Sequence, residues 1–227
     1  MNSDFQNVKR KITKADVEKA RGKSDWDFGN SILYALCKNH PNHNKTDEII
    51  AKVSLIGRSY SAALERGRRI EDDGSDFYLS IVGPRIKKNR IDSWFECLSD
   101  DAAPGCNKSI TIHKKLQNLF ATMIDGSKRS LASKYLHFHF PKIFFLYDSR
   151  AALTIRLTVP RTLRKACSQK STGDQIYCCF ARSCALLRNH LHDEYGHLLT
   201  PRELDRLLIS LADKELKDKR KVNAVRT

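Results

Sequence analysis

Runs of about 18 apolar residues, the length a membrane-spanning helix needs, do not occur in this chain. The first residues, Met1 to Lys14, are polar and basic and lack the apolar stretch of a signal peptide, so neither membrane insertion nor export is expected. Cysteine patterning is missing as well. Cys37, Cys97, Cys106, Cys167, Cys178, Cys179 and Cys184 form an odd, irregular set with no C-x-x-C pair. That argues against a disulfide framework and for reduced thiols in the cytoplasm, most of them small core residues. Alternating strand patterns are nearly absent, which leaves an all-α fold as the expectation. Acidic residues are short too: 26 Asp and Glu face 41 Lys and Arg, a formal charge of +15.

A charge of that size calls for a polyanion. Nucleic acid gains affinity as Lys and Arg displace counterions from phosphates, whereas an anionic membrane would need a bulky amphipathic face or a lipid anchor, and neither is visible. The plain alternative is a charge that only keeps the protein in solution. At 227 residues and 41% apolar content, the chain suffices for a single helical domain of two lobes sharing a core.

Helical periodicity supplies the elements. Asp27 is a candidate cap for a helix carrying Phe28, Ile32, Leu33, Leu36 and Cys37 on one face, and Thr46 for a longer one carrying Ile49 to Leu64. A third helix is expected after Pro84, with Ile86, Ile91, Trp94, Phe95 and Leu98. Ser109 to Ile124 buries Ile112, Leu116, Leu119, Phe120 and Met123, and Gly126 then breaks the pattern before a helix from about Ser127 to Phe140, stopped by Pro141. Asp148 stands where an N-cap would start a helix over Ser149 to Leu157. Ile176 to Leu191 forms another helix, and Thr200-Pro201-Arg202-Glu203 opens the last as a capping box with proline at the first helical position. From Asp213 to Thr227 the chain is basic and poor in apolar residues, a mobile tail.

Chemistry is suggested where a helix, a tight turn, a second helix and a carboxylate follow one another between Met123 and Asp148. The first amides of a helix after a turn are unpaired, and with the positive end of the helix dipole they can hold a phosphate. Gly126-Ser127-Lys128 at the turn and Tyr147-Asp148-Ser149 after Pro141 resemble the helix-hairpin-helix DNA glycosylases, in motif from Gly126 to Arg150 and in helical layout from about Asp27 to Leu157. Where that family usually has two glycines around one residue, Ile124-Asp125-Gly126 supplies one, and Arg150 stands where His is common.

The resemblance implies a two-lobed, all-α glycosylase-like bundle with DNA across the cleft between lobes. The implied reaction is cleavage of an N-glycosidic bond of an altered or modified base. Asp148 would stabilise oxocarbenium charge or orient the nucleophile, and Lys128, with Lys134 as its rival, would attack in lyase chemistry. Gly126, Ser127 and Arg129, followed by Arg150, Arg156, Arg161, Arg164 and Lys165, are the expected DNA contacts; from Ser149 to Gly173 no acidic residue interrupts the basic ones. Each has a plainer alternative: a cap for Asp148, a solvated lysine or phosphate contact for Lys128, a solvated loop for the basic stretch. Trp26, Tyr34, Tyr60 and Trp94 could supply the wedge or pocket that base extrusion requires.

His190, His192 and His197 lack the spacing of a metal site, and the cysteines lack that of an iron–sulfur cluster, so neither metal nor cofactor is expected. His139 falls on the apolar arc of its helix, as a satisfied core histidine. DNA is the expected partner, with no obligate protein partner. A non-catalytic DNA-binding module, or a helical domain for an acidic protein, are the other readings. For a phosphate-dominated complex, duplex affinity should fall severalfold or more between about 50 and 200 mM salt; affinity indifferent to salt would remove nucleic acid as the partner.

Overall fold

The computed structural model describes residues 5–67, 76–98, 102–168 and 173–224, with side chains through 218. Regular structure among them is entirely helical: α1 (Lys14–Arg21), α2 (Asp27–Asn39), α3 (Thr46–Ser59), α4 (Gly83–Lys88), α5 (Asp92–Phe95), α6 (Asn107–Ala121), α7 (Arg129–His139), α8 (Ser149–Thr158), α9 (Arg161–Ser168), α10 (Gln175–Tyr195) and α11 (Pro201–Ala224). No helix among the described residues is long and apolar enough to cross a membrane.

Several termini are fixed by side chains that satisfy otherwise unpaired amides. Asp148 caps α8 by accepting from the Arg150 amide, and Asp174 caps α10 through the amides of Ile176 and Tyr177. Thr200 and Glu203 form the expected capping box of α11. A second box, Thr13 with Asp16, opens α1 within a stretch where no helix was anticipated.

The helices bury two apolar cores. The first gathers α2 to α7 around Ile49, Val53, Ile86, Leu116, Phe120 and Tyr135; the second gathers α1, α8, α10 and α11 around Val17, Ile155, Tyr177, Phe180, Leu204 and Leu208. The chain crosses between them in the extended segment after α7. Phe144 enters the first core and the next residue, Phe145, the second. Lys128 occupies the N-cap position of α7, preceded by Gly126 at φ +88°, a conformation that glycine adopts without strain. Gly83 has a different reason: a Cβ there would meet Thr46 Cγ2 at 2.5 Å, so the close approach of α4 to α3 requires its absence.

Several sequence expectations change. Trp26 takes the N-cap position of α2, with Asp27 inside the helix; Phe28 and Ile32 face outward at 78% and 51% exposure, leaving Leu33 and Cys37 in the core. Lys45 precedes α3 without a side-chain cap, and Leu55 is half exposed. The helix expected after Pro84 begins earlier, in a π-helical turn at Tyr78–Val82, and breaks at Arg90, which adopts φ +45° before α5. Arg161 to Ser168 is helical where a basic loop stood as the alternative. The backbone from Asp213 continues as α11 to Ala224, and 225–227 lie outside the described residues.

Buried histidines tie the first core together. His43 donates from Nδ1 to Asp92 at 2.5 Å and accepts at Nε2 from the Tyr135 hydroxyl at 2.6 Å. His113 lies flat on Tyr177, with ring centroids 3.5 Å apart, and so joins the two cores. His139 is partly buried, and its buried Nε2 has no partner among the described residues, which corrects the expectation of a satisfied core ring.

Burial pushes His43 down to about 4 and His113 and His137 down to about 3, so all three fold as neutral rings. The unfolded chain takes up protons on them near the ordinary value of 6.5 while the folded chain does not. Stability is therefore fully present above that value and is lost as pH falls, by about 1.4 kcal/mol per pH unit for each histidine between the two values. Urea unfolding at pH 7 and pH 5 should show that fall, and His113→Phe should reduce its slope; equal stability at both pH values contradicts the assignment.

Candidate active site

Every residue from Leu131 to Phe138 is buried, so α7 has no solvent face. Its polar side chains must find partners inside, because an unpaired buried polar group costs about 1–3 kcal/mol. Ser130, Ser133, Lys134 and His137 recur at helical spacing, and all four turn to the backbone of the extended segment. His137 Nδ1 donates to the Phe144 carbonyl at 2.8 Å, while Ser133 Oγ accepts from the Tyr147 amide at 2.8 Å. The Tyr147 carbonyl takes Ser130 Oγ at 3.2 Å and Lys134 Nζ at 3.0 Å. From the other core, the Tyr177 hydroxyl donates to the Phe145 carbonyl at 3.1 Å. A segment without regular structure thus has its backbone satisfied by side chains, and Asp148 is delivered at its end.

The Asp148 carboxylate is 29% exposed, its Oδ1 2.8 Å from the Arg150 amide and 3.5 Å from Arg150 Nε. Arg150 also reaches Asp213 at 3.2 Å. Lys134 is 3% exposed, and burial lowers the pKa of its amine, opposed by the charges of Asp148 and Asp205. Asp205, on α11, pairs with Arg202 at 2.8 Å, and burial raises its carboxyl to about 6. Lys134 Nζ and Arg202 Cζ each lie 5.7 Å from the Tyr60 ring centroid. The Tyr60 hydroxyl donates to Asn30 Oδ1 at 2.6 Å, and Tyr34 is hydrogen-bonded to His137 Nε2 at the same length. Arg206, one turn past Arg202, pairs with Asp27 at 3.0 Å and so links α11 to the start of α2.

Asp148 and Lys134 are therefore brought into one electrostatic cluster, and Lys128 is not. Lys128 donates to the Ala63 carbonyl at 3.1 Å, and the charges acting on it are Glu65 and Arg66; burial lowers its pKa as well. Gly126 and Ser127 are exposed at the turn, although Ser127 Oγ already accepts from Gln117 Nε2 at 2.7 Å. Arg129 is held by Asp174 at 2.5 Å, which ties α7 to α10 and commits the guanidinium. Along α8 and α9, Arg156, Arg161 and Lys165 are exposed and Arg164 donates to the Val159 carbonyl.

Sequence reasoning did not select Asn30, Ser130, Arg202 or Asp205. A signal for Asp205 existed: it flanks the stripe Leu204, Leu207, Leu208 and Leu211, where a carboxylate needs a partner. His190 pairs with Glu194 and His197 with Arg21, and the described residues hold no group of His, Cys, Asp and Glu suited to a metal ion. A depression of about 350 Å³ lined by Trp94, Lys115, Asn89, Asn118, Leu119 and Thr122 contains none of the cluster residues. Compared with protein-family models, curated proteins and solved structures, the chain matches none.

Ser133→Ala removes the buried hydroxyl that accepts from the half-buried Tyr147 amide. It should lower stability in urea unfolding by about 1–3 kcal/mol. A neutral substitution would mean that the extended segment holds its course without α7.

Proposed function

We propose that this protein is a DNA glycosylase that cleaves the N-glycosidic bond of an altered or modified base, with its two cores serving as the two lobes of a helix-hairpin-helix bundle. The observation that carries the reading is a partly exposed carboxylate, Asp148, whose charge acts on a buried amine, Lys134, where the chain passes from one core to the other. The helix dipole and unpaired amides at the start of α7, which lacks a side-chain cap, suit a phosphate beside the exposed turn at Gly126. Arg150 and the exposed cations of α8 and α9 extend that positive surface beyond Asp148. Extruding a base requires an apolar wedge, and Trp26, Phe28 and Ile32 are the large exposed apolar side chains of the α2 region, beside the Asp27–Arg206 bridge. Seven unpaired cysteines fit a reducing cytoplasm.

In the reaction, bond breaking between C1′ and the base nitrogen leads. The electron pair leaves with the base and positive charge develops on the sugar. The Asp148 carboxylate stabilises that charge. Hydrolysis follows when a water oxygen bonds to C1′ and gives up a proton toward Asp148. Lyase chemistry would instead bond the Lys134 nitrogen to C1′, and its lowered pKa favours the neutral, nucleophilic amine. A non-catalytic DNA-binding module is the second reading, favoured by one observation: the Lys134 amine already has a structural task at Ser130 and Tyr147.

Asp148→Asn keeps a capping oxygen and loses the charge, so base release should fall by about 100-fold or more while the fold and DNA binding persist. Near-normal release by the variant would remove Asp148 from the mechanism. With an opened sugar, borohydride should trap an adduct in wild type and in Lys128→Gln but not in Lys134→Gln. Loss of the adduct in Lys128→Gln alone would restore Lys128 as nucleophile, and an active enzyme with no adduct would leave water in that role.

A further inference from the structure

We propose that the depression between α4, α5 and α6 is a nucleotide site, in which a base stacks on Trp94 and its phosphate meets Lys115 and the cations that flank Asn89. The depression lies on the first core and contains none of the residues around Asp148, so the inference does not depend on the glycosylase reading.

At about 350 Å³ the depression falls within the size range of small-molecule sites. One wall is a face of α6 and its C-cap: Lys115, Asn118, Leu119 and Thr122 recur at helical spacing, with Leu119 buried and the other three exposed. A second wall is the end of α4, where Asn89 Nδ2 donates to the Arg85 carbonyl at 2.8 Å and so leaves Oδ1 as the free end of that side chain. Arg85 also donates to the Thr122 carbonyl, which ties the two walls together. The chain then turns at Arg90, at φ +45°, into α5, which supplies Trp94.

Trp94 is half-buried against the first core, and the Lys115 amine lies 5.7 Å from its ring centroid. An exposed lysine reaches that face, so the face is open to a ligand. Lys115 has no carboxylate partner among the described residues, and the Asn118 side chain has no hydrogen-bond partner among them, which leaves one cation, one amide donor and one acceptor at the wall. Lys88 and Arg90, on either side of Asn89, are exposed as well. Against them α4 and α6 carry no carboxylate; Asp92 of α5 is bound by His43, and Glu96, the C-cap of α5, is the other described acid between 84 and 122. An open indole face, unpaired amide groups and unneutralised cations correspond to the three parts of a nucleotide: the base plane, the base edge and the phosphate. A purely apolar ligand would leave the amides unpaired, and a bare phosphate would leave the indole unused. A base entering over the indole displaces the Lys115 amine toward the phosphate it carries.

The test reads Trp94 itself. Trp26 is the other tryptophan of the chain and is 71% exposed, so in full-length Trp26→Phe the indole emission reports Trp94 alone. Adenosine monophosphate, adenosine, inorganic phosphate and a single-stranded adenine octanucleotide are titrated in turn. The monophosphate should quench saturably, adenosine should bind about tenfold more weakly, and inorganic phosphate should leave the emission unchanged. On the same background Lys115→Gln should weaken the monophosphate about tenfold and leave adenosine as it was, whereas Asn118→Leu should weaken both. Lys115 and Asn118 are exposed, so both variants should melt as the parent does. The octanucleotide separates the sources of the ligand: an affinity equal to that of the monophosphate assigns the site to free nucleotides, and one about tenfold or more tighter assigns it to a strand. No saturable quenching by monophosphate or octanucleotide, quenching by inorganic phosphate equal to that by the monophosphate, or wild-type affinities in both variants would overturn the inference.

Discussion

A lysine amine with almost no access to water must be satisfied from within the protein, and the environment of Lys134 follows from that constraint. Residues 131–138 of α7 are all buried, because α2, α3 and α6 of the first core pack on it and the segment after it closes the remaining side. Its polar stripe can therefore discharge its hydrogen bonds only onto a neighbouring backbone. The segment from Phe144 to Tyr147 accepts that role, and in doing so leaves regular structure and passes between the cores. Each party satisfies the other, so neither the helix nor the crossing is independently stable in this form. Asp148, the cap of the next helix, inherits its position from the exchange.

The same constraint organises charge. With Lys134 confined, the carboxylates that act on it come from two elements, Asp148 at the start of α8 and Asp205 on α11. Each carboxylate has its own arginine, and one of those arginines lies near the Tyr60 ring on the first core. Arg129 takes a different part. Its bond to Asp174 joins the start of α7 to the cap of α10, so a residue expected to meet phosphate helps fasten the two cores together. On the proposed reading, the cations that would follow a DNA backbone are the exposed ones beyond Asp148, on α8 and α9.

Elements with local chemistry were legible in the sequence. The Asp148 cap, the Thr200–Glu203 box and the buried stripe of α6 were each read from spacing and each recur in the structure. Thr13 and Asp16 carried the same kind of signal and were passed over in a polar, basic stretch. α9 is short, charged and preceded by Pro160, so its periodicity stayed below what sequence reading can separate from a loop. The site was legible only in part. Spacing put Lys128 and Lys134 in one helix region but could not say which amine turns toward Asp148, because that depends on Ala63 and Tyr147, contacts remote in sequence. Asn30, Arg202 and Asp205 come from opposite ends of the chain, and their meeting depends on how α2 and α11 are placed by two cores.

Base excision from a seam between the two cores is the central claim, and it can be measured directly. The protein is incubated with duplex oligonucleotides, each bearing one altered base, and strand scission after mild alkali counts the abasic sites formed. The account predicts time-dependent abasic sites in at least one altered duplex and none in the unmodified control. DNA that is bound throughout the series and never loses a base would contradict it, and would leave a binding module in its place.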